Sequence, residues 1–326
     1  MNEVKRIGVM TSGGDAPGMN ACIRAVVRTA TYYGIETWGV RRGYEGMIEN
    51  EMEELPSGDV GNILQRGGTM LRSARSKRFH EKEWRQKAFL HLKENKIDAL
   101  VVIGGDGTFR GAHALYKDFK FPSVGVPGTI DNDLFGTDLT IGYDTALNTV
   151  IDAIDKIRDT ADAHNRLFFV EVMGRDAGFI ALRTGIAGGA ESILIPEAKT
   201  NVNTLIRTLE TGFRRKKQFG IVVVAEGDDE GGAFAIAEKV KEKFTSYDIR
   251  VSILGHIQRG GNPSCQDRVL ASRLGKGAVD ALVDKKHDVM IGIQNKNIVL
   301  TPFDKATKYH QEIDPELMHL AEILSS

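Results

Sequence analysis

Eight short apolar runs recur along this 326-residue chain, and none of them alternates with polar residues. They are Ile7–Met10, Ala99–Ile103, Ser123–Val126, Leu167–Val172, Ser192–Ile195, Ile221–Ala225, Val251–Leu254 and Val289–Ile293. A strand covered on one face alternates; an unbroken run fits a parallel strand covered on both. Parallel neighbours need crossovers, and helical patterns stand between the runs at Met19–Tyr32, Glu83–Glu94, Tyr143–Arg158, Val202–Arg214 and Ser264–Leu282. In Tyr143–Arg158 the residues Ala146, Leu147, Val150, Ile151, Ile154 and Ile157 fall at helical spacing. The order predicts an α/β fold with ligand groups at the carboxyl ends of strands. The length favours two lobes of about 150 residues each.

Composition narrows the class. A net charge of −1 argues against general affinity for nucleic acid or an anionic membrane, so an anion site must come from local basic groups. Cys22 and Cys265 have no metal-ligand spacing and fit a reduced, cytoplasmic setting. The first residues lack a signal peptide's apolar stretch, and no run has the length to cross a bilayer.

The chemistry collects where strands end. Thr11–Asn20 (TSGGDAPGMN) follows the first run, and its glycines let backbone N–H groups approach a phosphate ahead of a helix N-terminus. The plainer reading is a tight turn with Asp15 as helix cap. Gly104–Thr108 (GGDGT) repeats the pattern without a P-loop's lysine and spacing. Asp106 there suits Mg²⁺, against an ordinary Asp-Gly turn. In Pro127–Asp133 (PGTIDND), Asp131 and Asp133 at i and i+2 share a side if the segment is extended or forms a turn, with Asn132 pointing elsewhere. Such a pair offers one proton acceptor and one group for a metal. Arg75, Arg166, Arg175 and Arg259 are cations in loop contexts, each of which alone reads as a surface ion pair. Glu226 closes the run Ile221–Ala225, His256 taken alone reads as an interior histidine, and Gly227–Gly232 reads as an exposed loop.

Together these segments resemble a bacterial-type ATP-dependent 6-phosphofructokinase. The matching stretches are TSGGDAPGMN, RGGTMLRSAR, GGDGT, PGTIDND, IGYDTALNTVIDAIDKIRDTA, EVMGRDAG, GGAESILIPEA, VVVAEG and LGHIQRGGNPS, in family order over nearly the whole chain. The resemblance implies two lobes, each a mainly parallel sheet sandwiched by helices. A nucleotide lobe would comprise residues 1–142 plus 258–303, and a sugar-phosphate lobe 143–257 plus 304–326. The implied reaction moves the γ-phosphoryl of MgATP to the 1-hydroxyl of fructose 6-phosphate, the committed step of glycolysis.

Residue by residue, the resemblance makes Asp131 the base, with Thr129, Arg175 and the Gly14 amide at the transferring group. Gly14, Arg75, Ser76, Gly105, Asp106, Gly107 and Thr108 would hold ATP, with Mg²⁺ on Asp106. The sugar phosphate would meet Thr129, Ile130, Asp131, Met173, Gly174, Arg175, Glu226, His256, Ile257, Gln258 and Arg259. Arg166 and Arg250 would reach it from a neighbouring subunit, which implies a homotetramer. ADP or phosphoenolpyruvate would bind as effector at Arg24, Arg28, Arg158, Gly189, Ala190, Glu191, Arg215 and Lys217. Gly107 and Gly128 match the ATP-dependent branch; pyrophosphate-dependent relatives usually carry an aspartate and a lysine there. A pyrophosphate-dependent enzyme, a kinase of the NAD or lipid type sharing the GGDGT loop, and a non-catalytic regulatory homologue are the alternatives.

Overall fold

The computed structural model describes residues 4–163, 166–215, 219–244 and 248–324. In chain order the elements are β1 (Arg6–Thr11), α1 (Met19–Tyr32), β2 (Glu36–Val40), α2 (Gly43–Ile48), β3 (Met52–Glu54), α3 (Lys82–Glu94), β4 (Ala99–Gly104), α4 (Asp106–Phe119) and β5 (Ser123–Pro127). Then come α5 (Tyr143–Asp162), β6 (Arg166–Val172), α6 (Phe179–Ala187), β7 (Ser192–Leu194), α7 (Val202–Arg214), β8 (Gly220–Ala225), α8 (Gly232–Lys241) and β9 (Asp248–Ile253). The chain finishes with α9 (Cys265–Val283), β10 (Val289–Gln294), β11 (Asn297–Pro302), α10 (Phe303–Ala306) and α11 (Pro315–Leu324).

All eight apolar runs are strands. Two compact units result: unit 1 takes residues 1–130, 134–145 and 259–311, and unit 2 takes 131–133, 146–258 and 312–326. The family pattern would give 304–311 to the sugar-phosphate lobe. Here Phe303 and Ala306 of α10 fill the core of unit 1, where Phe303 stacks on Phe109 at 5.4 Å between ring centroids. Gly125 of β5 lies against both rings, so a methyl group added there would overpack the core, costing about 1–3 kcal/mol.

Among the described residues, unit 1 holds a seven-stranded sheet, β11-β10-β5-β4-β1-β2-β3, and unit 2 a four-stranded sheet, β7-β8-β6-β9. The pairings within β10-β5-β4-β1-β2 are parallel, while β3 and β11 close the two edges antiparallel. Unit 2 is parallel throughout.

Three strands escape the apolar-run reading. β2 carries an exposed Glu36, β3 reads Met-Glu-Glu, and β11 is exposed to partly buried along its length. An edge or near-edge strand has fewer neighbours to cover it, so its residues need not be apolar. Helices α2, α4, α6 and α10 also escape the helical-spacing reading. Glycines interrupt α2 and α4, and the mostly buried α6 shows little amphipathic contrast. The Gly227–Gly232 segment is not simply an exposed loop. Asp228 is buried and accepts from Thr200 Oγ1 at 2.6 Å, pinning the turn that leads into α8.

Candidate active site

Unit 1 gathers its loops at the carboxyl ends of β1 and β4. The Ser12 amide donates to Ile103 O at 3.0 Å, and Thr108 Oγ1 donates to Ser12 O at 3.1 Å. The Gly13 amide reaches Ala74 O at 3.4 Å, while Ser73 Oγ donates to Gly13 O at 2.6 Å. The glycine loop after β1, the GGDGT loop and residues 73–76 therefore form one braced patch. Gly14 and Gly105 stand half-buried and Gly107 is exposed. A Cβ on Gly14 would come within 2.8 Å of Arg259 Nη1, so Gly14 makes room for that guanidinium, which donates to Asp15 O at 3.3 Å.

Two plainer readings fall here. Asp15 caps nothing: α1 starts after Gly18, whose φ of 108° no other residue adopts readily, with no side-chain cap. Asp106 and Gly107 are not a free turn but the first turn of α4, where a carboxylate complements the helix dipole. Asp106 also pairs with Arg110 at 2.8 Å. A Cβ at Gly107 would meet nothing within 4 Å, so the bare position has no packing cause. At Gly128 a Cβ would lie 3.0 Å from Ile103 Cγ2 and 3.2 Å from Met19 Cε, so packing alone favours glycine there. Arg75 is exposed; Ser76 is turned inward, its Oγ accepting from the Phe79 amide at 3.3 Å. Hydrogen bonds from Ser76 and then Arg78 hold the Glu45 carboxyl below its usual range. Thr129 is nearly buried and Ile130 fully so, which turns the Ile130 side chain into the core.

Unit 2 offers charged side chains. Asp131 is 3% exposed, and Arg175 Nε lies 3.7 Å from its Oδ2. Of the two conformations open for Asp131–Asp133 the segment takes the bent one: Asn132 has a φ of 54° and is itself buried, and the left-handed residue breaks the two-residue alternation of a strand. Arg175 is also left-handed, at a φ of 52°. Its backbone is held from β8: Glu226 Oε1 accepts from the Arg175 amide at 2.8 Å and from the Gly174 amide at 3.3 Å. Gly227 packs directly against the Arg175 carbonyl, where a Cβ would collide. Gln258 is fully buried and braces the same loop, accepting from the Met173 amide at 3.2 Å and donating to Gly255 O at 3.0 Å. Arg166 and Arg250 share Asp248, at 3.4 and 2.7 Å. His256 is exposed instead of interior, as is Ile257.

The residues marked for an effector divide. Arg24 and Arg28 lie one turn apart on α1 of unit 1. In unit 2, Arg158 donates to Gly188 O beside Gly189, and its guanidinium stacks 5.6 Å from the Phe219 ring. Ala190 is buried, Glu191 half-buried and Arg215 exposed. Lys217 lies outside the described residues.

Two side chains that shape the site were missed. Asn20 is buried, donates to Arg66 O and Gly67 O at 3.2 and 3.1 Å and accepts from the Met70 amide at 2.7 Å, holding the segment that leads to Arg75. Asp267 is buried in α9; its sequence signal is the Ser264-x-x-Asp267 capping pattern. Among the described residues no cluster of three or more His, Cys, Asp or Glu side chains could hold a metal by itself. A lone carboxylate such as Asp106 at a helix N-terminus still fits Mg²⁺, which takes one or two carboxylates and completes its shell with phosphates and water.

These features define an α/β protein whose parallel sheets carry anion-ready glycine loops in one unit and a braced carboxylate–arginine pair in the other. The chain belongs to the phosphofructokinase family, whose profile, described as Phosphofructokinase, matches residues 6–282. It is 54% identical over 325 residues to the ATP-dependent 6-phosphofructokinase 2 of Bacteroides thetaiotaomicron, covering 100% of both chains. It is also 54% identical over 322 residues to the ATP-dependent 6-phosphofructokinase 1 of Thermus thermophilus, covering 99% of this chain and 100% of that one. Among solved structures, Pichia pastoris phosphofructokinase in the T-state superposes with a TM-score of 0.87 at 36% identity, over 94% of this chain and 36% of the yeast chain.

Proposed function

We propose that this chain is an ATP-dependent phosphotransferase that moves the γ-phosphoryl group of ATP to the 1-hydroxyl of fructose 6-phosphate. Full-length identity to relatives bearing that activity in their names supports the reaction. The observation that carries the chemistry is the buried Asp131 carboxylate beside the Arg175 guanidinium, on a loop fixed by Glu226. Phosphoryl transfer to an alcohol needs an acceptor for the hydroxyl proton and positive groups for charge on the transferring oxygens. Asp131 takes the proton; Arg175 and the Gly14 amide offset the charge, with Thr129 alongside.

Gly14, Arg75, Ser76 and Gly105–Thr108 hold the nucleotide on unit 1. Asp106 would hold Mg²⁺, which when bound neutralises charge on the phosphates. Met173, Gly174, Glu226, His256, Ile257 and Arg259 hold the sugar. Gln258 and Ile130, both buried, act by placing the backbone. Arg166 and Arg250, drawn together on Asp248, supply a dianion-sized positive patch for a 6-phosphate. The exposed Gly107 supports ATP over pyrophosphate, since a nucleotide needs that space. We read the enzyme as a cytoplasmic glycolytic homotetramer that binds ADP or phosphoenolpyruvate through Arg24, Arg28, Arg158, Gly189, Ala190, Glu191, Arg215 and Lys217.

Steady-state kinetics with ATP against pyrophosphate, with and without ADP and phosphoenolpyruvate, test the reading. Turnover with ATP and none with pyrophosphate is expected. Pyrophosphate as the better donor would overturn the donor assignment, and no turnover with either would point to a regulatory homologue.

A further inference from the structure

Inside unit 1, one buried carboxylate on α9 reaches the backs of two loops at once. Asp267 is 0% exposed. Its Oδ1 accepts from the Gly142 amide at 2.8 Å, and its Oδ2 accepts from the Thr145 amide at 2.8 Å and the Thr145 hydroxyl at 2.6 Å. Thr145 Oγ1 accepts in turn from the Ser264 amide at 2.9 Å, while Ser264 Oγ accepts from the Asp267 amide at 3.1 Å and donates to Asp144 at 2.5 Å. The turn at 140–145 is thereby locked to the first turn of α9.

That turn supports the loops assigned to phosphoryl transfer. On one side it pairs with the strand end before Asp131: Ile141 and Gly128 form a parallel bridge, the Ile141 amide donates to Pro127 O at 2.9 Å, and Thr140 Oγ1 donates to Thr129 O at 2.6 Å. On the other side it meets the glycine loop after β1. Gly142, at a φ of 102°, packs so closely on Ala16 that a Cβ would lie 2.6 Å from the Ala16 Cβ and 3.2 Å from Pro17 Cδ. At Gly18, just before α1, an added Cβ would lie 2.6 Å from Ile141 Cγ2 and 3.7 Å from the Asp267 Cβ.

We propose that Asp267 is a positioning residue for the transfer reaction, fixing through Gly142 and Thr145 the distance between the Gly14 loop and the Thr129 strand end. The inference rests on the phosphotransferase reading above. The physical ground is that a buried carboxylate accepting three hydrogen bonds is a stiff support, and a displacement of reacting groups by about 1 Å costs on the order of 100-fold in rate. Burial disfavours the charge on Asp267 and raises its carboxyl above the usual range, against three hydrogen bonds that favour the charge.

The test is Asp267→Asn in the full chain. The amide keeps the shape but turns an N–H₂ toward at least one of the donors. Expected is a kcat lower by about 10- to 100-fold, with KM for ATP and for fructose 6-phosphate within about threefold of wild type. A merely structural role predicts a lower melting temperature with wild-type kcat per folded molecule, and that result overturns the proposal. Should Asp267→Asn fail to fold, Thr145→Val decides: a kcat about tenfold lower, restored by Thr145→Ser, supports it. Wild-type kcat in Thr145→Val, or no recovery in Thr145→Ser, overturns it. If the wild-type chain shows no turnover, the phosphotransferase reading fails instead, and amide exchange at Gly128 and Ile141 tests the support alone. Exchange at least about tenfold faster in the variant upholds it, and unchanged exchange refutes it.

Discussion

The loops after β1 and β4 and the loops after β6 and β8 sit at the same ends of parallel strands yet equip the protein in opposite ways. The first set is glycine-rich and presents backbone amides, with Gly107 open to space and Gly14 bare beneath Arg259. The second set works through side chains, together with Asp131 of the same unit: Arg175 lies beside that carboxylate, and Glu226 holds the amides of Gly174 and Arg175. Backbone amides have no side chain to delete, so the first set is damaged by adding atoms and the second by removing them.

The sharpest break comes from Asp131→Ser. Loss of the base is expected to lower kcat by about 10³- to 10⁴-fold, with KM for fructose 6-phosphate nearly unchanged. Near-wild-type turnover in steady-state assays would remove Asp131 from that role and dissolve the contrast. Next in size is Glu226→Ala, which frees two backbone amides and lets the Arg175 turn relax from its left-handed conformation. A fall in kcat/KM for the sugar of about 100-fold is expected, partly recovered by Glu226→Gln, whose amide oxygen can still accept.

Gly107→Asp probes the first set by addition. The fold has room for the side chain, and an acid in the first turn of α4 suits the helix dipole, so the melting temperature should hold. A carboxylate facing nucleotide phosphates should raise KM for ATP on the order of tenfold or more. A lower melting temperature with unchanged KM would mean the position is bare for folding.

The smallest effect concerns the brace beneath residues 73–76. Ser76 and Arg78 lower the folded-state pKa of Glu45, and Arg42 does the same for Glu51. A depressed carboxyl contributes stability above its unfolded value of about 4.3 and loses it as pH falls through the folded value. Both groups are partly exposed and screened, so Glu45→Gln should only slightly flatten the acid limb of a stability-against-pH curve. A steeper acid limb in the variant would contradict the sign.

Apolar runs and glycine–acid loops were enough to determine the α/β class, eight of the eleven strands among the described residues and the strand-end positions of Asp106, Arg175 and Glu226. These are local properties: a strand buried on both faces must be apolar along its whole length, and a tight strand-to-helix turn selects glycine. Tertiary structure alone decided the rest. It put Asp131–Asp133 with unit 2 while Ile130 and Leu134 stay with unit 1, and it turned Asn132 left-handed where an extended segment and a turn were both open. It also paired Glu226 with amides 51 and 52 residues away and set Asp267 behind loops more than a hundred residues off in the chain. Hydrogen bonds of that span leave no period in the sequence, because their register comes from how sheets and helices pack and not from the spacing of neighbours.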